Sequence, residues 1–444
     1  MPYIPHTDQE RQQMLSAAGA NSIEDLFSYI PSELAPSSFD LPPGKSEFEV
    51  GLFLKKLSAK NATELIPFVG GGFYDHYIPA AVDAIVSKSE FYTAYTPYQP
   101  EISQGTLQAI YEYQTSICRL VDMDVTNASL YDGGTALYEA SMMAVRITGR
   151  NKIIVSRGVS PIYRVMLASY TKNLHLQLEE IPVNNGVLDR DVMKDALDES
   201  TAAVVMQNPN FFGCVEDISD ISEMAHGVGA LVICSAYPIA CALIKTPGEM
   251  GADIVTGEGQ SLGLPLSFGG PYLGFMATRM KYVRKMPGRI VGATVDTEGR
   301  RGYVLTLQTR EQHIRRDKAT SNICSNESLC ALAAQAYMSL LGKEGIRDVA
   351  SVCNEKANYT MKRLSKIPGV KVKFPAPVFN EFTIDLPRDA GEVIGELIEK
   401  GFAAGFPLGR YYKGMEKSML VAITEKRTKE EIGRLAEALE EVLS

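Results

Sequence analysis

The sequence predicts an α/β protein, with a large domain built on a largely parallel sheet and a small α+β domain at its C-terminal end. Three observations lead there. Between about Asn127 and Thr278, short apolar runs (NASL, KIIVS, AAVVM, ALVIC, ADIV and LGFMA) alternate with helical segments, which implies βαβ units. AAVVM and ALVIC are apolar at consecutive positions, as strands covered by helices on both faces must be. From Glu327 the pattern changes to a long helical stretch through Lys366, then VKVKF, FTIDL and LVAIT, then a last helix from Lys429, with too few strands for a second large sheet.

In chain order, the first thirty residues read as two short helices. The second opens at Ser22, Ile23, Glu24 and Asp25 in a capping-box pattern and stops at Pro31. The linker APSSFDLPPGKS follows and ends where an amphipathic helix begins near Glu47, so this piece reads as an arm that packs on another surface. The expected division is residues 1–60 for the helical arm and linker, 61–325 for the large domain and 326–444 for the small one. In parallel sheets of this kind, ligands collect at the carboxyl ends of the strands.

Bulk properties narrow the function. The chain has 444 residues, 45% hydrophobic and 22% charged, with a formal net charge of −9, which disfavours a broad nucleic-acid surface. The start MPYIPHTDQERQQM lacks a basic region followed by an apolar stretch, and no apolar run has transmembrane length, so the expectation is a cytoplasmic protein without a membrane partner. Cys118, Cys214, Cys234, Cys241, Cys324, Cys330 and Cys353 form no CxxC pair and the five histidines do not cluster near them in sequence. Reduced, buried thiols and no metal site are expected.

Three segments are candidates for chemistry. YTAYTPYQPEISQG, Tyr92 to Gly105, combines three tyrosines with two prolines, two glutamines and a glutamate. Prolines fix the backbone and tyrosines offer a flat face with a polar tip, which suits a pocket wall or a planar ligand, but tyrosines packed on the next helix would read the same way. SLYDGGT, Ser129 to Thr135, runs from a strand into a helix, where exposed amides favour an anion such as phosphate; tight βα turns carry glycines without any ligand too. REQHIRRDKATSNICSN sets Arg310, Arg315, Arg316 and Lys318 beside Thr320, Ser321 and Asn322, a donor set for phosphate or carboxylate, or else a solvated basic loop before a helix cap.

Taken together, these stretches resemble the P-protein of the glycine cleavage system, the decarboxylating glycine dehydrogenase, in its N-terminal half or the separate subunit corresponding to that half. The resemblance covers essentially the whole chain through HYIPA (76–80), YTPYQPEISQG (95–105), NASLYDGGTA (127–136), FGGPYLGF (268–275) and LQTREQHIRRDKATSNIC (307–324). It implies the fold-type I, pyridoxal-phosphate transferase-like architecture, with active sites at a subunit interface. In that family the cofactor lysine follows a strand and precedes a proline and a Gly-Gly-Pro turn; the matching position here, after ADIV, is Gln260, and a carboxamide forms no Schiff base. The acidic partner of the pyridine nitrogen is expected after ALVIC, where Cys234 and Ser235 stand. Lys245 and Lys281 lack the family spacing and read as surface residues.

The resemblance therefore implies a non-lysine subunit of an α2β2 glycine decarboxylase. The pyridoxal phosphate belongs to the partner subunit, at the shared interface, and the aminomethyl group passes to the lipoyl arm of H-protein. On that reading Tyr95, Tyr98 and Gln99 approach the cofactor or glycine while Glu101 and Gln104 shape their loop. Thr320 and Ser321 bond the partner's cofactor phosphate, and one of Arg310, Arg315 and Arg316, with Arg316 favoured, draws in an anion. Two rivals remain: a self-sufficient pyridoxal-phosphate lyase or desulfurase with an unusually placed lysine, and a non-catalytic scaffold subunit.

Overall fold

The structure, a computed structural model, describes residues 5–34, 38, 40–323 and 325–444. Most of the linker's serine and proline run (35–37 and 39) and Cys324 lie outside the described residues. The chain divides into two compact units, Met1–Thr63 and Glu64–Ser444.

In the first unit the helix Asp8–Ala17 is opened by Thr7, whose hydroxyl accepts from the Glu10 amide while Glu10 reaches back to the Thr7 amide. Ser22 and Asp25 exchange the same kind of bonds ahead of a single 3₁₀ turn, Glu24–Phe27, so the second predicted helix is shorter than its signal. The helix Glu47–Ser58 begins where expected, capped by Ser46 and Glu49, and none of its side chains is buried despite Phe48, Leu52, Phe53 and Leu57.

The second unit is built on a seven-stranded sheet of β1 (Val125–Thr126), β2 (Lys152–Ser156), β3 (Gln177–Ile181), β4 (Thr201–Asn208), β5 (Leu231–Ala236), β6 (Ile254–Glu258) and β7 (Gly274–Thr278). Their order is β1-β7-β6-β5-β4-β2-β3. All neighbours from β6 to β3 pair in parallel, and β7 runs antiparallel to β6 and β1. Successive residues of the central strands enter different cores: Val204, Val232 and Cys234 join one apolar cluster, whereas Ala203, Val205 and Ile233 join the other. That two-sided burial is the reason these strands are continuously apolar.

Two strand expectations shift. NASL is not a ladder strand: pairing stops at Thr126, the chain turns at Ser129 (φ 138°), and Leu130 makes an isolated bridge to Gly274. β3, QLEEI, escaped the apolar pattern because it lies at the sheet edge with its glutamates half exposed.

The C-terminal part has a four-stranded antiparallel sheet formed by Lys371–Val372, Glu381–Asp385, Ser418–Ala422 and Phe406–Pro407. Its core includes Phe382, Ile384, Val421, Leu397 and Leu435. The long helix runs Ser328–Leu364 with a break at Gly342 (φ 60°), and the last helix, Lys429–Leu443, starts at a Thr428/Glu431 capping box. Ile66–Pro67 pairs in parallel with Phe402–Ala403, so the chain entering this unit is anchored first on its C-terminal part.

Candidate functional site

A cavity of about 230 Å³ lies at the carboxyl ends of β2, β4, β5 and β6, lined among others by Ser160, Gln207, Ser235, Glu258 and Gln260. Strand alternation puts Ser235 on this wall and Cys234 in the core. The loop Gly71–Tyr74 closes another wall. Gly71 has φ 72°, and a Cβ there would come 3.0 Å from the Phe211 ring, so only glycine suits the turn.

The helix Gly133–Thr148 starts at this cavity, and Asp132 caps it by accepting from the Thr135 amide at 2.8 Å. The sequence suggests an anion at this helix start, and the structure supplies one from within. One oxygen of Glu258 accepts from the Gly133 amide at 3.0 Å, and the other from the Gln260 and Leu273 amides at 3.0 and 2.9 Å. Burial pushes the Glu258 carboxyl up, and the three backbone amides oppose that rise. SLYDGGT reads either as an anion site or as a tight βα turn without a ligand, and the Gly133 amide that an external phosphate would use is held by a carboxylate of the chain itself.

Pyridoxal phosphate does not fit this cavity. Gln260 offers a carboxamide in place of an amine, and its Nε2 donates to the Leu264 carbonyl at 2.6 Å. Ser235 offers no carboxylate for a pyridinium, and Glu258 would repel a phosphate at the helix start. The sequence reading found Gln260 and Ser235 but missed Glu258, although a carboxylate two residues before Gln260 at a strand end was a visible signal. Lys245 and Lys281 are surface residues, their side chains 50% and 65% exposed and near Asp217 and Asp253.

Behind this wall the fold assembles a cluster that sequence spacing hides. The Tyr237 hydroxyl meets His76 Nε2, His76 Nδ1 lies 2.7 Å from Glu425 Oε2, and Cys353 Sγ lies 3.4 Å from the same oxygen. Burial alone would raise the Glu425 carboxyl, but the His76 bond and charge and the Tyr77 amide hold it at about 2. The ligand-type atoms of His76, Cys353 and Glu425 lie within 4.8 Å of one another, although the histidines do not cluster near the cysteines along the sequence. Nearby, Glu381 accepts from the Gly71 amide and the Tyr74 hydroxyl, both at 2.9 Å, and burial pushes its carboxyl up to about 7.

A second surface joins two of the segments singled out in the sequence. Tyr95 is 89% exposed; Tyr98, Gln99 and Glu101 are also exposed. Gln104 ties their loop to the hairpin Ile290–Val295/Arg301–Thr306: its Nε2 donates to the Pro100 and Tyr303 carbonyls, and its Oε1 accepts from the Tyr303 amide. The Tyr98 and His313 rings lie 5.2 Å apart, and the Arg289 guanidinium lies 5.6 Å from the Tyr98 ring. Arg289 also donates to Asn326 at 3.2 Å and lies 3.9 Å from Glu311, itself buried. Arg289, Glu311 and His313 thus support both segments, and no sequence motif marked Arg289.

The remaining basic-loop residues divide. Arg310 is buried, donating to the Leu307 and Gly288 carbonyls, whereas Arg315 and Arg316 are exposed. Arg316 has φ 55°, a backbone conformation uncommon for a side chain of its size. The Thr320 amide donates to the Arg310 carbonyl at 2.9 Å, and the Ser321 hydroxyl donates to Glu139 at 2.8 Å.

Among the described residues, no helix is long and apolar enough to cross a membrane. A sequence profile of the family described as "Glycine cleavage system P-protein" matches residues 1–439. A protein of Maridesulfovibrio salexigens named "Probable glycine dehydrogenase (decarboxylating) subunit 1" is 57% identical over 439 residues, covering 99% of each chain. A crystal structure of "glycine decarboxylase (P-protein) of the glycine cleavage system, in inhibitor-bound form" superposes with a TM-score of 0.95 at 46% identity, over 100% of both chains. Lactobacillus brevis glutamate decarboxylase, at 13% identity and a TM-score of 0.68 over 95% of this chain and 96% of its own, shares the fold.

Proposed function

The chain belongs to the glycine cleavage system P-protein family, with the fold-type I architecture of pyridoxal-phosphate enzymes, and from that premise we propose that it is the non-lysine subunit of a heteromeric glycine decarboxylase. The observation that carries this reading is Glu258 seated on the Gly133 amide beside Gln260, because it denies the chain a cofactor site of its own. The pyridoxal phosphate then belongs to a partner subunit, and bound there it takes up the electrons released as carbon dioxide leaves glycine.

This chain's part is to complete that site from across the interface. Tyr95 and Gln99, exposed, approach glycine or the cofactor, and Tyr98 is steadied by Arg289 and His313. Glu101 and Gln104 shape the loop, Gln104 through its bonds to Tyr303. Thr320 and Arg316 face the partner's cofactor phosphate, and Ser321 joins them by exchanging Glu139 for it. The exposed apolar side chains of Glu47–Ser58 suit an arm that grips another subunit in an α2β2 assembly, and the product aminomethyl group leaves on the lipoyl arm of H-protein in the cytoplasm.

The test is the visible spectrum of the purified chain with pyridoxal phosphate, repeated after adding the cofactor-bearing subunit. The expected result is no cofactor band alone, and a band with glycine–bicarbonate exchange on mixing. A band in the isolated chain, lost on borohydride reduction with label on a lysine, would overturn the reading in favour of a self-sufficient enzyme. Exchange by the assembled complex that is indifferent to both Tyr95→Phe and Thr320→Ala would leave only a scaffold.

A further inference from the structure

We propose that the cavity at the carboxyl ends of the strands is itself a binding site for a small primary amine without a carboxylate, held as the ammonium by Glu258, Asp132 and the amide oxygen of Gln260. The inference goes beyond decarboxylation and does not rest on the partner subunit. Its basis is the reversal of charge and hydrogen-bonding sense in this cavity. Asp132 and Glu258 both line it, no lysine or arginine does among the described residues, and neither carboxylate enters an ion pair among those residues.

Three buried polar atoms on these walls have no partner among the described residues: Gln260 Oε1, an acceptor only, and the hydroxyls of Ser261 and Tyr272, which can accept as well as donate. Gln260 is 3% exposed, and because its Nε2 is committed to the Leu264 carbonyl, the atom without a partner is Oε1. Ser261 is 2% exposed and its Oγ also has no partner. A buried carbonyl oxygen beside two carboxylates calls for a ligand with several donors, and an ammonium group carries three. Phe73, Tyr74, Tyr163 and Tyr237 on the same walls add aromatic surface for an apolar stem. A carboxylate on the ligand would meet the charge of Glu258 and Asp132 with no cation to answer it, which excludes glycine and other amino acids. At about 230 Å³ the space exceeds a cavity of about 150 Å³ that admits benzene, so an amine with a short alkyl stem fits.

The experiment is isothermal titration of butylamine, and separately of butyrate, into the purified chain and into its complex with the partner subunit. Butylamine is expected to bind saturably, with butyrate giving no binding. Glu258→Gln should weaken butylamine binding about tenfold or more, by loss of a charge-assisted contact, and Ser261→Ala about fivefold. Ser261→Ala removes one oxygen and leaves the helix-start bonds of Glu258 in place, so it decides the matter if the Glu258 variant fails to fold. Absence of butylamine binding, equal binding of butyrate, or butylamine affinity unchanged in the folded variants would overturn the proposal.

Discussion

Glu381→Gln is expected to remove the loss of stability that the Glu381 carboxyl itself imposes as pH rises from acid to mildly alkaline. Glu381 is buried within the small sheet, accepts from the Gly71 amide and the Tyr74 hydroxyl, and has its carboxyl raised from 4.5 to about 7 by burial. Between those values the folded protein holds a proton that the unfolded chain has released. The unfolded state then binds fewer protons, so stability falls with rising pH. Below 4.5 both states are protonated and the effect vanishes; above about 7 both are ionised and the loss is complete. The interval from 4.5 to about 7, at about 1.4 kcal/mol per pH unit, amounts to about 3 kcal/mol. Glutamine keeps an acceptor for Gly71, and its amide can donate to Tyr74 once that hydroxyl turns, so it fits the site without a charge. The assay is urea unfolding by far-UV circular dichroism, because the chain has no tryptophan to report by fluorescence. Relative to the wild type, the variant should gain about 3 kcal/mol between about pH 5 and about pH 8. Parallel pH profiles for the two proteins would refute the reasoning.

Three further outcomes follow from single contacts. Arg289→Ala leaves Glu311 buried without its guanidinium and releases Tyr98; a loss of about 3 kcal/mol in urea unfolding and weaker assembly by sedimentation are expected, with Arg289→Lys restoring only part. Gly133→Ala sets a Cβ 2.5 Å from the Tyr163 hydroxyl and 3.0 Å from Glu258, which should cost about 2 kcal/mol, and adding Tyr163→Phe should recover part of it in calorimetry. Burial pushes the thiols of Cys214, Cys241 and Cys330 up to about 12, and Cys118, less buried, is also raised, so, among the described cysteines, a thiol-reactive disulfide should label the native protein slowly, Cys118 first, and rapidly only in urea.

The sequence by itself determined what local chemistry can encode. Doubly apolar runs such as ALVIC report a covered parallel strand, and the end of the linker reports a helix start near Glu47, because each depends on residue type and near spacing; Gln260 in the place of a Schiff-base lysine was legible only through the family resemblance. Where a polar edge strand replaces an apolar one, as in QLEEI, that signal fades. Only the tertiary structure decided which distant groups meet. Glu258 closes on Gly133 from 125 residues away, His76 finds Glu425 across 349, and Arg289 stands between Tyr98 and Glu311. Such pairings are set by how the sheet, the hairpin and the small domain pack, and packing couples residues by distance in space, which spacing along the chain does not record.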